Sequence, residues 1–174
     1  YWKIIISVPT LEILGLRIFW SFPFMFALMW LRRDFSFFKT VLKSPRNTGI
    51  YIVSALLLAT NWLVWIWSVT NRYVVDASLG YFINPLLNVF MGFVFLQERL
   101  RLVQWVALIT ALTGVLYLTL NYGQFPWIAL TLATTFALYG FIRKTGRLGS
   151  VHGLSMEVVY LLIPASLLLM YLAG

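Results

Sequence analysis

Apolar residues run along this chain in long blocks, without the alternating or one-sided patterns of a water-soluble domain. Six stretches of about 18–21 residues are almost free of charge, near 11–31, 49–69, 77–96, 102–121, 125–142 and 154–173. Each has the length an α-helix needs to cross a hydrocarbon core ~30 Å thick. The opening run Tyr1-Trp2-Lys3-Ile4-Ile5-Ile6 reads as the tail of an earlier helix. The pattern predicts an all-α polytopic membrane bundle with six full transmembrane helices plus the end of another.

Composition agrees with that class. Hydrophobic residues make up 61% and charged residues 10% of the chain, with a mean hydropathy of +0.89, whereas soluble domains run at about 45–50% and about 25%. Cysteine is absent, which excludes disulfides and thiolate metal sites. The net charge of +8 invites a nucleic-acid partner, but the placement of the basic residues argues against one. Arg32, Arg33, Lys39, Lys43 and Arg46 fill the first connection, Arg99 and Arg101 the third, and Arg143, Lys144 and Arg147 the fifth. The second has only Arg72 and the fourth no charge. By the positive-inside rule the basic segments 32–47, 98–101 and 143–153 are expected in the cytoplasm. The expected partners are the lipid bilayer and a small molecule, with no cofactor; no oligomeric state follows.

The span at 77–96 carries more polarity than lipid tolerates. Ala77, Tyr81, Asn84, Asn88 and Met91/Gly92 fall on one helical face. Pro85 frees a main-chain carbonyl at the same level. Asn61, near the middle of the preceding span, is expected at the same depth as Asn84 and Asn88, so that the three amides line a midplane cavity. Trp62 and Trp65 flank Asn61 and can stack on a planar substrate. The competing reading is structural: amides bonding across helices contribute about 0.6–2 kcal/mol, and tryptophans pack bundles.

Three charged residues fall within spans. Glu12 and Glu157 each follow a Thr or Ser by two residues, Thr10 and Ser155, a placement that suits N-capping and the helix dipole. Gating or ion coupling is the alternative. Arg17 lies about 140° around the helix from Glu12, too far for an intrahelical pair, and calls for snorkelling, a partner on another helix or an anionic ligand. Glu98-Arg99 in a short turn suits helix pairing. His152 stands alone, with no cysteine or paired carboxylates to complete a metal site. Gly153-Leu154-Ser155-Met156-Glu157 lacks the second glycine of a nucleophile elbow, so no catalytic residue is expected.

The segments Thr10-Leu11-Glu12-Ile13 and Ser155-Met156-Glu157-Val158 share their chemistry position by position, each preceded by Ser-Val, at Ser7-Val8 and Ser150-Val151. Five helices separate the two, so the second copy enters the membrane from the opposite side. Inverted repeats of this kind build secondary transporters. The expectation is a piece of a ten-helix protein of two five-helix repeats, lacking most of the first helix and the last three.

The run Ala77-Ser78-Leu79-Gly80-Tyr81-Phe82-Ile83-Asn84-Pro85-Leu86, with Gly92, Leu96-Gln97-Glu98-Arg99-Leu100 and Gln104-Trp105, resembles the RarD group of EamA transporters in the drug/metabolite transporter superfamily. So do Pro9, Leu11-Glu12-Ile13, Arg17, Trp20-Ser21, Asn61-Trp62, Ile66-Trp67, Phe136-Ala137-Leu138-Tyr139-Gly140 and Arg143-Lys144. The resemblance implies a bacterial inner-membrane permease, with 1–124 in the first EamA repeat and 125–174 opening the second. It adds Tyr139 as a candidate wall residue.

Overall fold

The computed structural model describes residues 8–122, 125–146 and 148–173, and all of its regular structure is helical. Seven helices follow in order: α1 Thr10–Arg32, α2 Ser36–Leu42, α3 Pro45–Thr70, α4 Val74–Leu96, α5 Leu102–Tyr122, α6 Trp127–Thr145 and α7 Ser150–Ala173. Segments within α1, α3, α4 and α7 are long and apolar enough to span a membrane. The other two expected spans are helical as well. α5 is apolar from Leu102 to at least Tyr117, and α6 carries Thr131, Thr134 and Thr135 before a basic last turn of Arg143 and Lys144. The chain is a polytopic helical membrane bundle. The opening run 1–6, and Ser7 of the first Ser-Val pair, lie outside the described residues.

Local chemistry sets the helix ends. Pro45 occupies the first turn of α3, where a missing N–H is no loss. α1 closes on Arg33 in the left-handed region, its N–H donating to the Met29 and Trp30 carbonyls, an arrangement that satisfies carbonyls at a helix end. Two departures from the sequence pattern matter. A short helix, α2, occupies the first connection, because Phe37 and Val41 bury against Met29, Tyr51 and Met156. More consequentially, α7 begins at Ser150, not near 154, directly after Gly149. Ser155 and Glu157 therefore sit one to two turns inside the helix, while Thr10 is the first residue of α1. The two echoing segments do not occupy equivalent places in their helices.

α3 is the hub of the bundle, packing against α1, α2, α4, α6 and α7, while α1 pairs with α7 and α4 with α6. Leu14, Ile18, Ala55, Ile66, Leu161 and Ala165 form the core shared by α1, α3 and α7. On the other flank Ala77, Ile128 and Leu132 bury together, continued by Ile83, Ala129 and Ala133. Gly80 lets α4 approach α6 closely: a Cβ there would lie 3.0 Å from the Ala129 carbonyl oxygen and 3.1 Å from Leu132 Cβ. Small residues at such crossings are how membrane helices gain contact, since lipid supplies no hydrophobic drive between them. α5 touches mainly α4, and none of its described side chains is buried.

Helix direction alternates, so the connections sort to two ends. At one end Asp34 Oδ2 lies 3.0 Å from His152 Nε2, Glu98 Oε1 lies 3.3 Å from Lys144 Nζ, and the Leu148 N–H donates to Tyr51 OH at 2.9 Å. At the other, Thr10 and Thr70 hydroxyls meet at 3.3 Å and the Trp67 ring packs on Tyr73 and Trp127. The three connections richest in Lys and Arg thus share one end. Glu98 pairs with a helix neighbour, the role its place in a short turn suggested.

Candidate functional site

Two polar layers lie inside the bundle, one in each half. The layer nearer the charge-poor end is a cavity of about 150 Å³ lined by Arg17, Asn61, Trp62, Trp65, Ala77, Gly80, Tyr81, Asn84, Leu132 and Phe136. Counted from that end, Arg17 is the eighth residue of α1, Tyr81 the eighth of α4 and Trp62 the ninth of α3. At 1.5 Å per residue these sit about 10–12 Å deep. The Arg17 guanidinium carbon lies 4.2 Å from the centre of the Trp62 ring, a cation–π contact across α1 and α3. Arg17 and Trp62 also line a larger, more open cavity of about 950 Å³ with Ile13, Leu16, Trp20, Phe24 and Val158. Trp65 meets Tyr81 edge to face at 5.2 Å.

The amides divide their work. Asn61 Nδ2 donates to the Leu132 carbonyl and to Thr135 Oγ1, both at 2.9 Å. It holds α3 to α6 and lines the cavity at once. Asn88 Nδ2 donates to Asn84 Oδ1 at 3.1 Å, and so points the Asn84 amide group. Asn88 itself lines a different cavity of about 180 Å³ with Met91, Gly92, Ala137, Gly140, Phe141 and Lys144. The expected convergence of three amides is thus corrected: Asn61 and Asn84 share a cavity, and Asn88 lies one turn further toward the basic end. Pro85 is exposed and does not line the cavity with Tyr81 and Asn84. Its ring removes the bond that the Tyr81 carbonyl would otherwise accept, so its effect reaches the cavity through Tyr81.

The second layer is built on Glu157, whose side chain is 0% exposed. Ser54 Oγ donates to Oε1 at 2.7 Å and Tyr139 OH donates to Oε2 at 3.0 Å. Arg143 Nε lies 3.6 Å from Oε1, and its Nη2 donates to the Gly149 and Ser150 carbonyls at 3.2 and 2.9 Å. The guanidinium lies against Gly153, where any Cβ would overlap it. Helices α3, α6 and α7 are clasped together at one carboxylate. The capping reading of Glu157 fails because α7 starts seven residues before it. Tyr139 belongs to this clasp and not to the cavity wall, although Phe136, one turn away and 5.9 Å from it ring to ring, does line the cavity.

Glu12 keeps the place of a first-turn acid in α1. Thr10 is no cap, for the preceding residue is Pro9 and no side-chain cap bond forms; its hydroxyl turns to Thr70 instead. Arg17 has no carboxylate partner among the described residues. His152 lies in the first turn of α7, its ring 4.8 Å from Phe37. No group of three or more His, Cys, Asp or Glu suited to a metal occurs among the described residues.

Comparison with known proteins decides the family. Residues 2–120 match the EamA-like transporter family. The chain belongs to that family. Among its relatives, protein RarD of Escherichia coli (strain K12) is 44% identical over 173 residues, which is 99% of this chain and 58% of that protein. Protein RarD of Streptomyces exfoliatus is 42% identical over 166 residues, 95% of this chain and 52% of its own length. An uncharacterized transporter of Vibrio cholerae is 42% identical over 173 residues, 99% of this chain and 57% of that protein. The chain thus spans a little over half the length of these relatives. No solved structure matches it.

For this EamA chain, the cavity residues were visible as polar or aromatic interruptions of apolar spans. Ser54 and Thr135 were not singled out, and Arg143 entered only as a basic residue of the fifth connection and as part of the resemblance. Ser54 is a small hydroxyl in an ordinary span, and Arg143 looks like a topology signal at a helix end. The usable clue was Gly149-Ser150, a helix start that moves Glu157 into the span and Arg143 alongside it.

Proposed function

We propose that this chain forms part of a secondary transporter that moves a small organic metabolite or drug across the bacterial inner membrane by alternating access, within a ten-helix protein of two inverted EamA repeats divided near residue 124. The basic connections 32–47, 98–101 and 143–153 face the cytoplasm in this reading. The observation that carries it is the pairing of a polar cavity in one half of the bundle with a polar clasp across three helices in the other. A substrate site in one half, with side chains locked across helices in the other, is what one state of an alternating-access cycle requires. Asn61, Trp62, Trp65, Tyr81, Asn84 and Arg17 form the substrate wall. Glu157, with Ser54, Tyr139 and Arg143, acts as the cytoplasmic gate, and α3 and α6 join the two layers because each contributes to both. Asn88 orients Asn84. Opening inward exchanges the Glu157 contacts for water while the cavity closes around its cargo.

A static scaffold is the second reading, and the bonds from Asn61 to α6 favour it in part, since such amides hold bundles without transport. The test uses the full-length protein in cells, comparing the small solutes released into the medium by the wild type, an empty vector and variants at equal membrane abundance. The expected result is a solute raised by the wild type and lowered at least fivefold by Asn84→Ala, with a smaller loss for Asn88→Ala. A profile unchanged by Asn84→Ala overturns the cavity assignment. A wild type indistinguishable from the vector favours the scaffold.

A further inference from the structure

The inventory of donors and acceptors around the cavity leans toward donors. Arg17 brings a guanidinium with no acceptor capacity. Asn61 spends its amide N–H groups on Leu132 and Thr135, and its Oδ1 is the one side-chain amide acceptor left to the cavity. Asn84 has its oxygen taken by Asn88, which leaves its NH₂ as a donor without a partner among the described residues. Tyr81 adds a hydroxyl, 62% exposed. No carboxylate lines the cavity. The acids nearest in the sequence are placed elsewhere: Glu157 is held in the clasp by three partners, and Glu12 and Asp76 lie in the first turns of α1 and α4. A cation is held inside the membrane with tryptophan on one side and a donor-rich void on the other.

Shape narrows the ligand further. The cavity that brings Arg17 and Asn84 together is about 150 Å³, room for a single ring bearing a small polar group, beside the larger cavity that shares Arg17 and Trp62. Its apolar walls include Trp62, Trp65 and Phe136, with Tyr81 and Trp65 in an edge-to-face pair. Aromatic faces favour a planar partner in offset or edge contact. A guanidinium presents paired N–H groups that match the two oxygens of a carboxylate, and such charge-assisted pairs strengthen where water is excluded.

Resting on the transporter reading above, we propose that the cavity selects small aromatic carboxylates: the carboxylate bridges Arg17 and the Asn84 amide, and the ring lies against Trp62 and the Trp65–Tyr81 pair. The Trp62 stack holds the guanidinium plane in place, so that the arginine is preorganised for the anion. An anion also resolves the position of Arg17, since the ligand supplies the counter-charge that the described residues do not.

The test measures binding, so that its outcome is separate from that of the export experiment. Full-length protein purified in neutral detergent free of anionic lipid is titrated with benzoate and phenylacetate, and with the amide of each, while its thermal unfolding midpoint is followed. The expected result is a dose-dependent rise for at least one carboxylate, with an apparent affinity tenfold or more tighter than its amide. Arg17→Gln should abolish that preference. Trp62→Leu should weaken every ligand and reduce the acid-over-amide preference without abolishing it, since Arg17 remains, which keeps the test readable where Arg17→Gln does not fold. Amides that bind as tightly as acids overturn the proposal, as does a panel in which nothing shifts the midpoint. In the latter case Arg17 is neutralised by a carboxylate from the remainder of the protein. If an Asn84-dependent solute is still exported, the transporter reading survives that result and only the anion claim falls.

Discussion

Removal of the Glu157 side chain tests the clasp most directly, because one carboxylate serves three helices. Glu157→Ala strips the acceptor from Ser54 Oγ, from Tyr139 OH and from Arg143 Nε, at 2.7, 3.0 and 3.6 Å. A hydrogen bond to a charged acceptor contributes about 1.5–3 kcal/mol in water-soluble proteins, but cross-helix bonds in membranes average only about 0.6 and reach about 1.7, because the lipid-embedded unfolded chain also finds partners. Two such bonds therefore amount to about 1–3 kcal/mol. Arg143 keeps the Gly149 and Ser150 carbonyls but loses its counter-charge, and severing a buried pair raises the total toward about 3–5 kcal/mol. Glu157→Gln keeps one acceptor oxygen and should cost about 1–2 kcal/mol by the same reasoning. The assay is reversible SDS unfolding of the full-length protein in mixed micelles, run as a double-mutant cycle with Arg143→Met. A coupling energy of about 1–2 kcal/mol is expected, since contacting residues are non-additive. A cost below about 0.5 kcal/mol for Glu157→Ala, or a coupling energy near zero within the usual error of additivity, refutes the clasp.

The same geometry yields further expectations. Gly153→Val should displace the Arg143 guanidinium, lowering stability about as much as Arg143→Met does and adding little to it, as read from the same SDS titrations. Gly80→Leu should force α4 off α6 at a cost of about 1–3 kcal/mol, with a smaller loss for Gly80→Ala, because the opposing atoms are backbone and Cβ and cannot swing away. Asn61→Ala should cost about 0.6–1.7 kcal/mol, the range for bonds between membrane helices, and also reduce solute export. The chain has no cysteine, so on a cysteine-free full-length background a membrane-impermeant maleimide should label Arg72→Cys in intact spheroplasts, and Arg46→Cys and Arg99→Cys only after lysis; the reverse pattern overturns the assigned orientation.

The parts of this molecule that depend on composition were legible in the sequence, and those that depend on register were not. Lipid imposes so strong a penalty on unpaired backbone that long apolar blocks had to be helices, and the bias of Lys and Arg sorted their ends. Arg17, Asn61, Trp62, Trp65, Tyr81 and Asn84 stood out because polar and aromatic groups at such depths need partners. Asn88 was misplaced for a simple reason: a helical face extends along the whole span, whereas the cavity ends one turn short of it. The clasp was hidden by a start four residues earlier than the apolar pattern suggested, since Ser150, Val151 and His152 gave no apolar signal beyond the basic connection. The short helix α2 owes its existence to the surface that α1, α3 and α7 offer to Phe37 and Val41, and no local pattern carries that information.

The buried carboxylate also dictates an order of events during biogenesis. Acids near a helix centre oppose insertion by about 2.5–3.5 kcal/mol on the translocon scale for aspartate and the basic residues. Glu157 lies in the last of the described helices, and its partners Ser54, Tyr139 and Arg143 emerge from the ribosome before it. When α7 reaches the membrane, a hydroxyl, a phenol and a guanidinium are already in place to receive the charge. A chain with α3 or α6 removed would therefore present α7 to the bilayer with its acid unmet, and the quality-control machinery would meet a stalled or misoriented segment. The carboxylate thus ties the cost of burying the seventh helix to the presence of the third and sixth, which supply its partners.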